Sequence, residues 1–110
     1  MEKFKDIKDA ASVSAFPGHS RITLTGNKEL MMCMFNMKAG TRVELHQHLS
    51  AQIGYVLDGQ MEFFDESGNV HAGGTGFSYA FDPNEKHGCV AITDCTFVEC
   101  FSPSRGEYDN

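Results

Sequence analysis

Short runs of strand-forming residues, each followed by a turn, fill most of the chain. The runs are rich in Val, Ile, Phe, Tyr and Met, and Gly, Asn, Asp and Pro stand between them. No long amphipathic helix pattern interrupts them. Eight or nine short strands without a crossover helix predict an all-β fold, an antiparallel sandwich or small barrel. The predicted strands are Arg21–Thr25, Leu30–Met37, Thr41–His48, Gln52–Leu57, Gln60–Asp65, Asn69–Ala72, Gly76–Phe81, Lys86–Thr93 and Thr96–Phe101.

Length and charge narrow the class of protein. The 110 residues are enough for one domain with one hydrophobic core. The net charge is −6 and the basic residues are scattered, so we expect no nucleic-acid partner. The charged N-terminus has no uninterrupted apolar region, which argues against a secretory signal or a membrane span. We therefore expect a cytoplasmic protein without a membrane partner, with reduced thiols at Cys33, Cys89, Cys95 and Cys100.

Two histidines, His46 and His48, are the first candidates for a metal site. Residues two apart on a strand point to the same face, so both rings can offer a nitrogen to one cation. Gln52 follows where a third ligand could lie. His19 and His71 stand near glycines typical of loops or strand ends, and we expect both to be ordinary surface histidines.

The predicted strand Gln52–Leu57 has two different faces. Alternation turns Gln52, Gly54 and Val56 toward the candidate site and Ile53, Tyr55 and Leu57 away from it. So apolar an outer face needs cover in a small domain, and we predict a homodimer in which a second copy supplies it. A loop or an N-terminal strand folded over this face is the alternative.

The segment GTRVELHQHLSAQIGYVLDG, residues 40–59, resembles the first sequence motif of the cupins. That motif is Gly, five residues, His-x-His, three or four residues, Glu, six residues, Gly. Gly40, His46, His48 and Gly59 match it in register, and Gln52 takes the place of the Glu.

The second cupin motif is Gly, five residues, Pro-x-Gly, two residues, His, three residues, Asn. Only Gly76 and His87 match it literally, and Asn84 replaces the second Gly. Asn enters the left-handed region more readily than most residues, so it can replace Gly there. The resemblance implies a cupin fold, that is, a double-stranded β-helix or jelly-roll barrel. We expect a single domain over residues 1–110 with its core barrel at about residues 20–103.

The cupin resemblance also implies one divalent transition metal ion, held by His46, His48, Gln52 and His87. Imidazole suits Zn, Ni, Fe and Cu, and Mn is compatible, so these residues do not identify the metal. Neutral Gln52 in place of Glu leaves the ion more electrophilic, which favours Lewis-acid chemistry over oxygen chemistry. Alternatively, the Gln52 amide orients a ligand or a water by hydrogen bonding.

The combination of HQHLSAQIGYVLDG, KHG and FSPSR resembles the KdgF-type cupins of pectin and alginate breakdown, over about Leu30 to Tyr108. Those enzymes linearise 4,5-unsaturated monouronates to open-chain keto forms, so the implied partner is a small sugar acid. In that family a metal held by three His and one Gln is joined by an acid, an aromatic and an arginine. The corresponding residues here are Glu99, where the family has Asp, with Phe101 and Arg105.

The resemblance implies a role for each of these three residues. Arg105 would hold the uronate carboxylate, Glu99 would move a proton, and Phe101 would form an apolar wall for the sugar face. A strand-end charge, a core residue and a solvated tail residue are the alternatives for Glu99, Phe101 and Arg105, respectively. Strand parity places Glu99 on one face with Phe97 and Phe101, which is unusual for a merely solvated acid. Two other functions stay open: a cupin dioxygenase and a non-catalytic metabolite-binding cupin.

Overall fold

Ten β-strands form two antiparallel sheets in the computed structural model, which describes residues 1–109. The six-stranded sheet has the order β1-β2-β3-β10-β5-β8 and the four-stranded sheet the order β4-β9-β6-β7. The strands are β1 (Ser12–Phe16), β2 (His19–Gly26), β3 (Met31–Met37), β4 (Arg42–His46), β5 (Ala51–Asp58), β6 (Gln60–Asp65), β7 (Val70–Gly74), β8 (Ser78–Phe81), β9 (His87–Ala91) and β10 (Cys95–Ser102). The all-β prediction is confirmed.

The core lies between the two sheets, where alternate residues of each strand meet. On β10 the buried positions are every second residue, including Phe97, Glu99 and Phe101. Met31, Phe35 and Met37 of β3 and Met61 and Phe63 of β6 fill the same interior. Because Glu99 lies within this row, its carboxylate is directed into the barrel rather than into solvent.

The N-terminal strand β1 was not predicted. Its sequence, SVSAF, is short and largely exposed, and it pairs only with β2 at the sheet edge. Polar and apolar residues alternate from Ser12 to Ala15, but four positions are the shortest run that indicates a strand. The two helices of residues 1–109 are three-residue 3-10 turns, Ile7–Asp9 and Gly106–Tyr108. None of the helices described is long and apolar enough to cross a membrane.

The two-faced pattern of β5 is confirmed. Gln52 and Val56 are buried, whereas Ile53, Tyr55 and Leu57 are 59%, 48% and 44% exposed. Within residues 1–109 neither a loop nor the N-terminal strand covers this outer face, because β1 extends the sheet at its edge. The alternative of cover from within the described chain is therefore wrong, and the homodimer stays a prediction.

His19 is a buried residue, so the prediction of a surface histidine is wrong for it. Its side chain begins β2, is 9% exposed and stacks on Phe16 with 4.7 Å between ring centroids. Burial, with the nearby Arg21 charge, lowers its pKa. His71 is exposed, as predicted. All four cysteines are free, also as predicted.

Candidate metal centre

Three histidine rings meet at one end of the barrel. His46, the last residue of β4, pairs directly with His87, the first residue of β9. Their ring centroids lie 4.4 Å apart, and that of His48 lies 5.1 Å from His87. One ligand atom from each of the three lies within 4.8 Å of the others, which is close enough for one ion.

His48 reaches this cluster by a route other than the predicted one. Strand β4 ends at His46, so His48 lies in the following segment and not on the strand. Its Nδ1 is hydrogen-bonded to the carbonyl oxygen of Ser50 at 2.7 Å. Local backbone bonding therefore turns the ring toward His46 and His87.

All three histidines are oriented in the same way, with Nδ1 against a backbone carbonyl. The partners of His46 and His87 are Glu44 O at 2.9 Å and Glu85 O at 2.7 Å. Each Nδ1 therefore carries the proton, which leaves Nε2 as an unprotonated ligand atom. Within residues 1–109 the buried Nε2 atoms of His48 and His87 have no hydrogen-bond partner. A buried polar atom without a partner is costly, so these donor atoms fit a bound metal ion.

Burial keeps two of these rings in the neutral form that binds metals. It lowers the pKa of His87 to about 4, and it lowers that of His48 with help from the Arg105 charge. Phe81 of β8 stacks on His87 with 4.3 Å between centroids and 8° between planes, which fixes the ring position. His48 and His87 therefore offer uncharged donors to the centre.

Gln52 and Glu99 form a buried pair beside the histidines. Gln52 Nε2 donates to Glu99 Oε2 over 2.9 Å, and the hydroxyl of Tyr79 donates to the same oxygen over 2.6 Å. Burial raises the pKa of Glu99 to about 7, against the opposing effects of the Tyr79 hydrogen bond and the Arg105 charge. A carboxyl in this range can accept and donate a proton near neutral pH.

The C-terminal segment brings Arg105 to the same end of the barrel. Its guanidinium lies over the rings of Tyr108 and Phe101, 4.2 Å and 5.3 Å from their centroids, and its Nε donates to Glu107 at 2.9 Å. The segment is anchored where Ser50 Oγ donates to the carbonyl oxygen of Pro103 at 2.5 Å. Arg105 is therefore a supported side chain and not a solvated tail residue.

Most of these groups line one small interior cavity of about 60 Å³. Of the predicted site residues, His46, Gln52, His87, Glu99 and Arg105 line it. Phe101 is placed differently: it is 1% exposed, lies in the core and packs edge-on against His48 at 5.9 Å. The structure thus brings the predicted ligands together with the acid and the arginine. Phe101 lies in the core, where its ring contacts His48 and Arg105.

Sequence reasoning missed three residues here. Tyr79 bonds the acid, and Tyr108 and His19 line the cavity. Tyr79 had a signal, because alternation in the predicted strand Gly76–Phe81 puts it on one face with Phe77 and Phe81. Tyr108 ends the three-residue 3-10 turn after the last strand, which is too short for a periodic pattern to indicate direction.

The chain belongs to the cupins. The sequence model of the cupin domain matches residues 33–101, which include the three histidines, Gln52 and Glu99. Among curated proteins, none matches this chain.

Solved cupin structures are similar to this chain over nearly its whole length. An RmlC-like cupin from Shewanella frigidimarina is 26% identical, with a TM-score of 0.92, over 98% of this chain and 96% of that one. KdgF from a Halomonas species is 27% identical, with a TM-score of 0.87, over 96% of this chain and 98% of that one. The polyketide cyclase RemF from Streptomyces resistomycificus, at 21% identity and a TM-score of 0.78, shares the fold.

Proposed function

We propose that this cupin is a metal-dependent enzyme that opens the ring of 4,5-unsaturated monouronates. One observation carries the proposal: the buried, unpartnered Nε2 atoms of His48 and His87 belong to one three-histidine cluster. His87 lines the same cavity as the hydrogen-bonded Gln52–Glu99 pair and Arg105. This set of groups matches the one implied by the resemblance to the KdgF-type cupins. The likeness to KdgF along the whole chain supports the same assignment.

His46, His48, His87 and Gln52 would hold one divalent transition metal ion. When bound, the ion supplies Lewis-acid polarisation of a substrate oxygen. Four neutral ligands leave its full positive charge in place, which suits polarisation more than a high oxidation state. The ligand set does not distinguish Ni, Zn, Fe and Mn.

Arg105 would bind the uronate carboxylate. Its Nε is used by Glu107, so its two terminal nitrogens are left for a two-pronged hydrogen bond to the substrate. The stacking on Tyr108 and Phe101 holds the guanidinium plane in position before the substrate arrives. Phe101 thus contributes from the core, by supporting the arginine; it is 1% exposed and does not line the cavity.

Glu99 would move the proton. Linearisation is an isomerisation: the C1 hydroxyl loses a proton, the bond from C1 to the ring oxygen breaks, and that oxygen becomes the C5 ketone as C4 gains a proton. One carboxyl that takes the first proton and returns one to C4 balances the reaction, and no oxidant is needed. Both hydrogen bonds to Glu99 end on Oε2, which leaves Oε1 for the substrate.

The test mixes metal-loaded protein with freshly generated unsaturated galacturonate or an alginate monouronate and follows the ultraviolet absorbance of the conjugated double bond. We expect faster loss than the spontaneous rate. His87→Ala removes a buried candidate ligand and should abolish the acceleration, whereas His71→Ala changes an exposed histidine and should preserve it.

The alternatives give different results in the same samples. Oxygen consumption by iron-loaded protein, without ring opening, would favour a dioxygenase. Retention of metal and sugar acid without either reaction would favour a binding protein. Both outcomes contradict the proposed function.

A further inference from the structure

We propose that Tyr79 is a positioning residue for the metal centre, acting through Glu99 on Gln52. The inference deepens the proposed function and rests on it for the identity of the site. It starts from a row of three residues across the six-stranded sheet: Tyr79 of β8 pairs with Gly54 of β5, which pairs with Glu99 of β10. The hydroxyl of Tyr79 crosses the central strand to reach the carboxylate.

Gly54 makes this crossing possible. A Cβ at this position would lie 2.2 Å from Cζ and 2.3 Å from the hydroxyl oxygen of Tyr79, closer than atoms can approach. The missing side chain is therefore the space that the phenol ring occupies. Any larger residue would push the hydroxyl away from Glu99.

The ring is held in place by aromatic side chains of both sheets. Phe63 of β6 lies 4.2 Å from the Tyr79 ring, and Phe81 lies 5.9 Å away. Burial and the Glu99 charge raise the pKa of Tyr79 well above its ordinary value, so the phenol remains a hydrogen-bond donor. Its O–H donates to the carboxylate oxygen that it faces.

Glu99 Oε2 accepts from both the Tyr79 hydroxyl and Gln52 Nε2, and this pair of hydrogen bonds fixes the orientation of the Gln52 amide. The Gln52 side chain has one donor end and one acceptor end, and the donor end is on Glu99. Its Oε1 is thereby the end available to a cation. Tyr79 restrains Glu99, and Glu99 restrains Gln52, as outer residues commonly orient the ligands of a metal.

The experiment titrates Co²⁺ into metal-free protein and follows the visible absorption bands of the bound ion. Tyr79→Phe keeps the ring and removes the hydroxyl, and Gly54→Ala keeps the hydroxyl and fills its space. We expect the Kd for Co²⁺ to rise about tenfold in each variant. Removing a residue that orients a metal ligand commonly weakens metal binding by about 10- to 100-fold, and tenfold is the lower end of that range. Thermal melts without metal establish that both variants are folded.

Two matched controls separate positioning from general damage. Tyr55→Phe removes a hydroxyl from the exposed face of β5. Gly74→Ala adds a Cβ to a strand where the close atoms are the mobile end of the Gln60 side chain. Both controls should bind Co²⁺ as the wild type does.

A Kd that stays within twofold of the wild type in both Tyr79→Phe and Gly54→Ala overturns the inference. Turnover is decided separately with the uronate assay. Wild-type protein that binds Co²⁺ but opens no ring contradicts the proposed function and leaves the cobalt comparison intact. The two ideas can therefore fail independently.

Discussion

Gln52 on β5 and Glu99 on β10 form one buried unit, in which the amide nitrogen donates to the carboxylate over 2.9 Å. Both side chains are nearly inaccessible to solvent. A buried carboxylate loses the hydration of bulk water, so each donor that it gains in the fold offsets part of that cost. The stability of the metal-free protein therefore depends on this contact.

The first prediction concerns Gln52→Ala. With a chelator present, the free energy of unfolding should fall by about 1–3 kcal/mol, because Glu99 keeps only the Tyr79 donor in a buried place. Urea unfolding at neutral pH measures the change. Gln60→Ala, at an exposed position, is the control and should lie within about 0.5 kcal/mol of the wild type. Equal losses in the two variants would contradict the prediction.

The second prediction concerns Arg105→Lys. A lysine ammonium cannot form the two-pronged contact with a carboxylate or stack as a plane on Tyr108. The kcat/KM for the uronate should fall by about tenfold or more, mainly through a higher KM, since ground-state binding is lost. Steady-state kinetics measure both constants.

The control for Arg105→Lys is Arg42→Lys. Arg42 is an exposed arginine that also pairs with a nearby glutamate, at 3.2 Å from Glu44. It lies outside the cavity. If KM rises equally in both variants, a long-range effect of the arginine side chains explains the change. Arg105 then has no specific role in binding the substrate carboxylate.

Sequence periodicity was sufficient to predict the parts of the site that lie on regular strands. Alternation in β5 and β10 correctly placed Gln52 and Glu99 inside the barrel. The spacing of His46 and His87 in the cupin motifs correctly brought their rings together, because the fold pairs the ends of β4 and β9. The placement of Gln52 and Glu99 follows from the period-two geometry of a strand, whereas the meeting of His46 and His87 was implied by the resemblance to the cupins.

The rest depends on contacts that periodicity does not encode. His48 turns into the site through a local backbone hydrogen bond, outside the strand to which it was assigned. Tyr79 reaches Glu99 because the strand between them has a glycine, which is a property of three strands at once. Arg105 and Tyr108 lie at the two ends of a short 3-10 turn after the last strand. The path of this segment depends on tertiary anchors such as the hydrogen bond from Ser50 to Pro103.

The third prediction concerns His19 and acid. Burial and the Arg21 charge lower the His19 pKa in the folded state, so the unfolded chain binds its proton first as pH falls. Stability should therefore decrease from about pH 6.5 down to the lowered pKa. His19 also lines a second, more open cavity, whose charged or titratable groups are Lys38, Asp58, Asp94 and Cys95. Those lining the interior cavity are His46, His87, Cys89, Glu99, Arg105 and Tyr108.

His19→Phe tests this prediction. At pH 8 both proteins carry an uncharged ring at position 19, so their difference in unfolding free energy reports packing alone. Between pH 7 and pH 5 the wild type should lose more stability than the variant, as measured by urea unfolding with a chelator present. If the unfolding free energies of the two proteins change with pH in parallel, His19 does not contribute to the loss of stability in acid.

The last prediction concerns the outer face of the six-stranded sheet, which we propose is covered by a second copy of the chain. On β3, β10 and β5 the outward positions carry no charged side chain, and Ile53, Tyr55 and Leu57 remain exposed. An apolar sheet face can pair with its own copy about a two-fold axis. An exposed patch of this kind on a soluble single chain favours association.

Ile53→Lys puts a charge at the most exposed of these three positions. In sedimentation equilibrium the wild type should have twice the mass of one chain, and the variant should have the mass of one, because a buried unpaired ammonium opposes association. Val70→Lys is the matched control, since Val70 is equally exposed but lies on β7 of the other sheet. A monomeric wild type, or a dimer that tolerates Ile53→Lys as well as Val70→Lys, would exclude this face as the contact between copies.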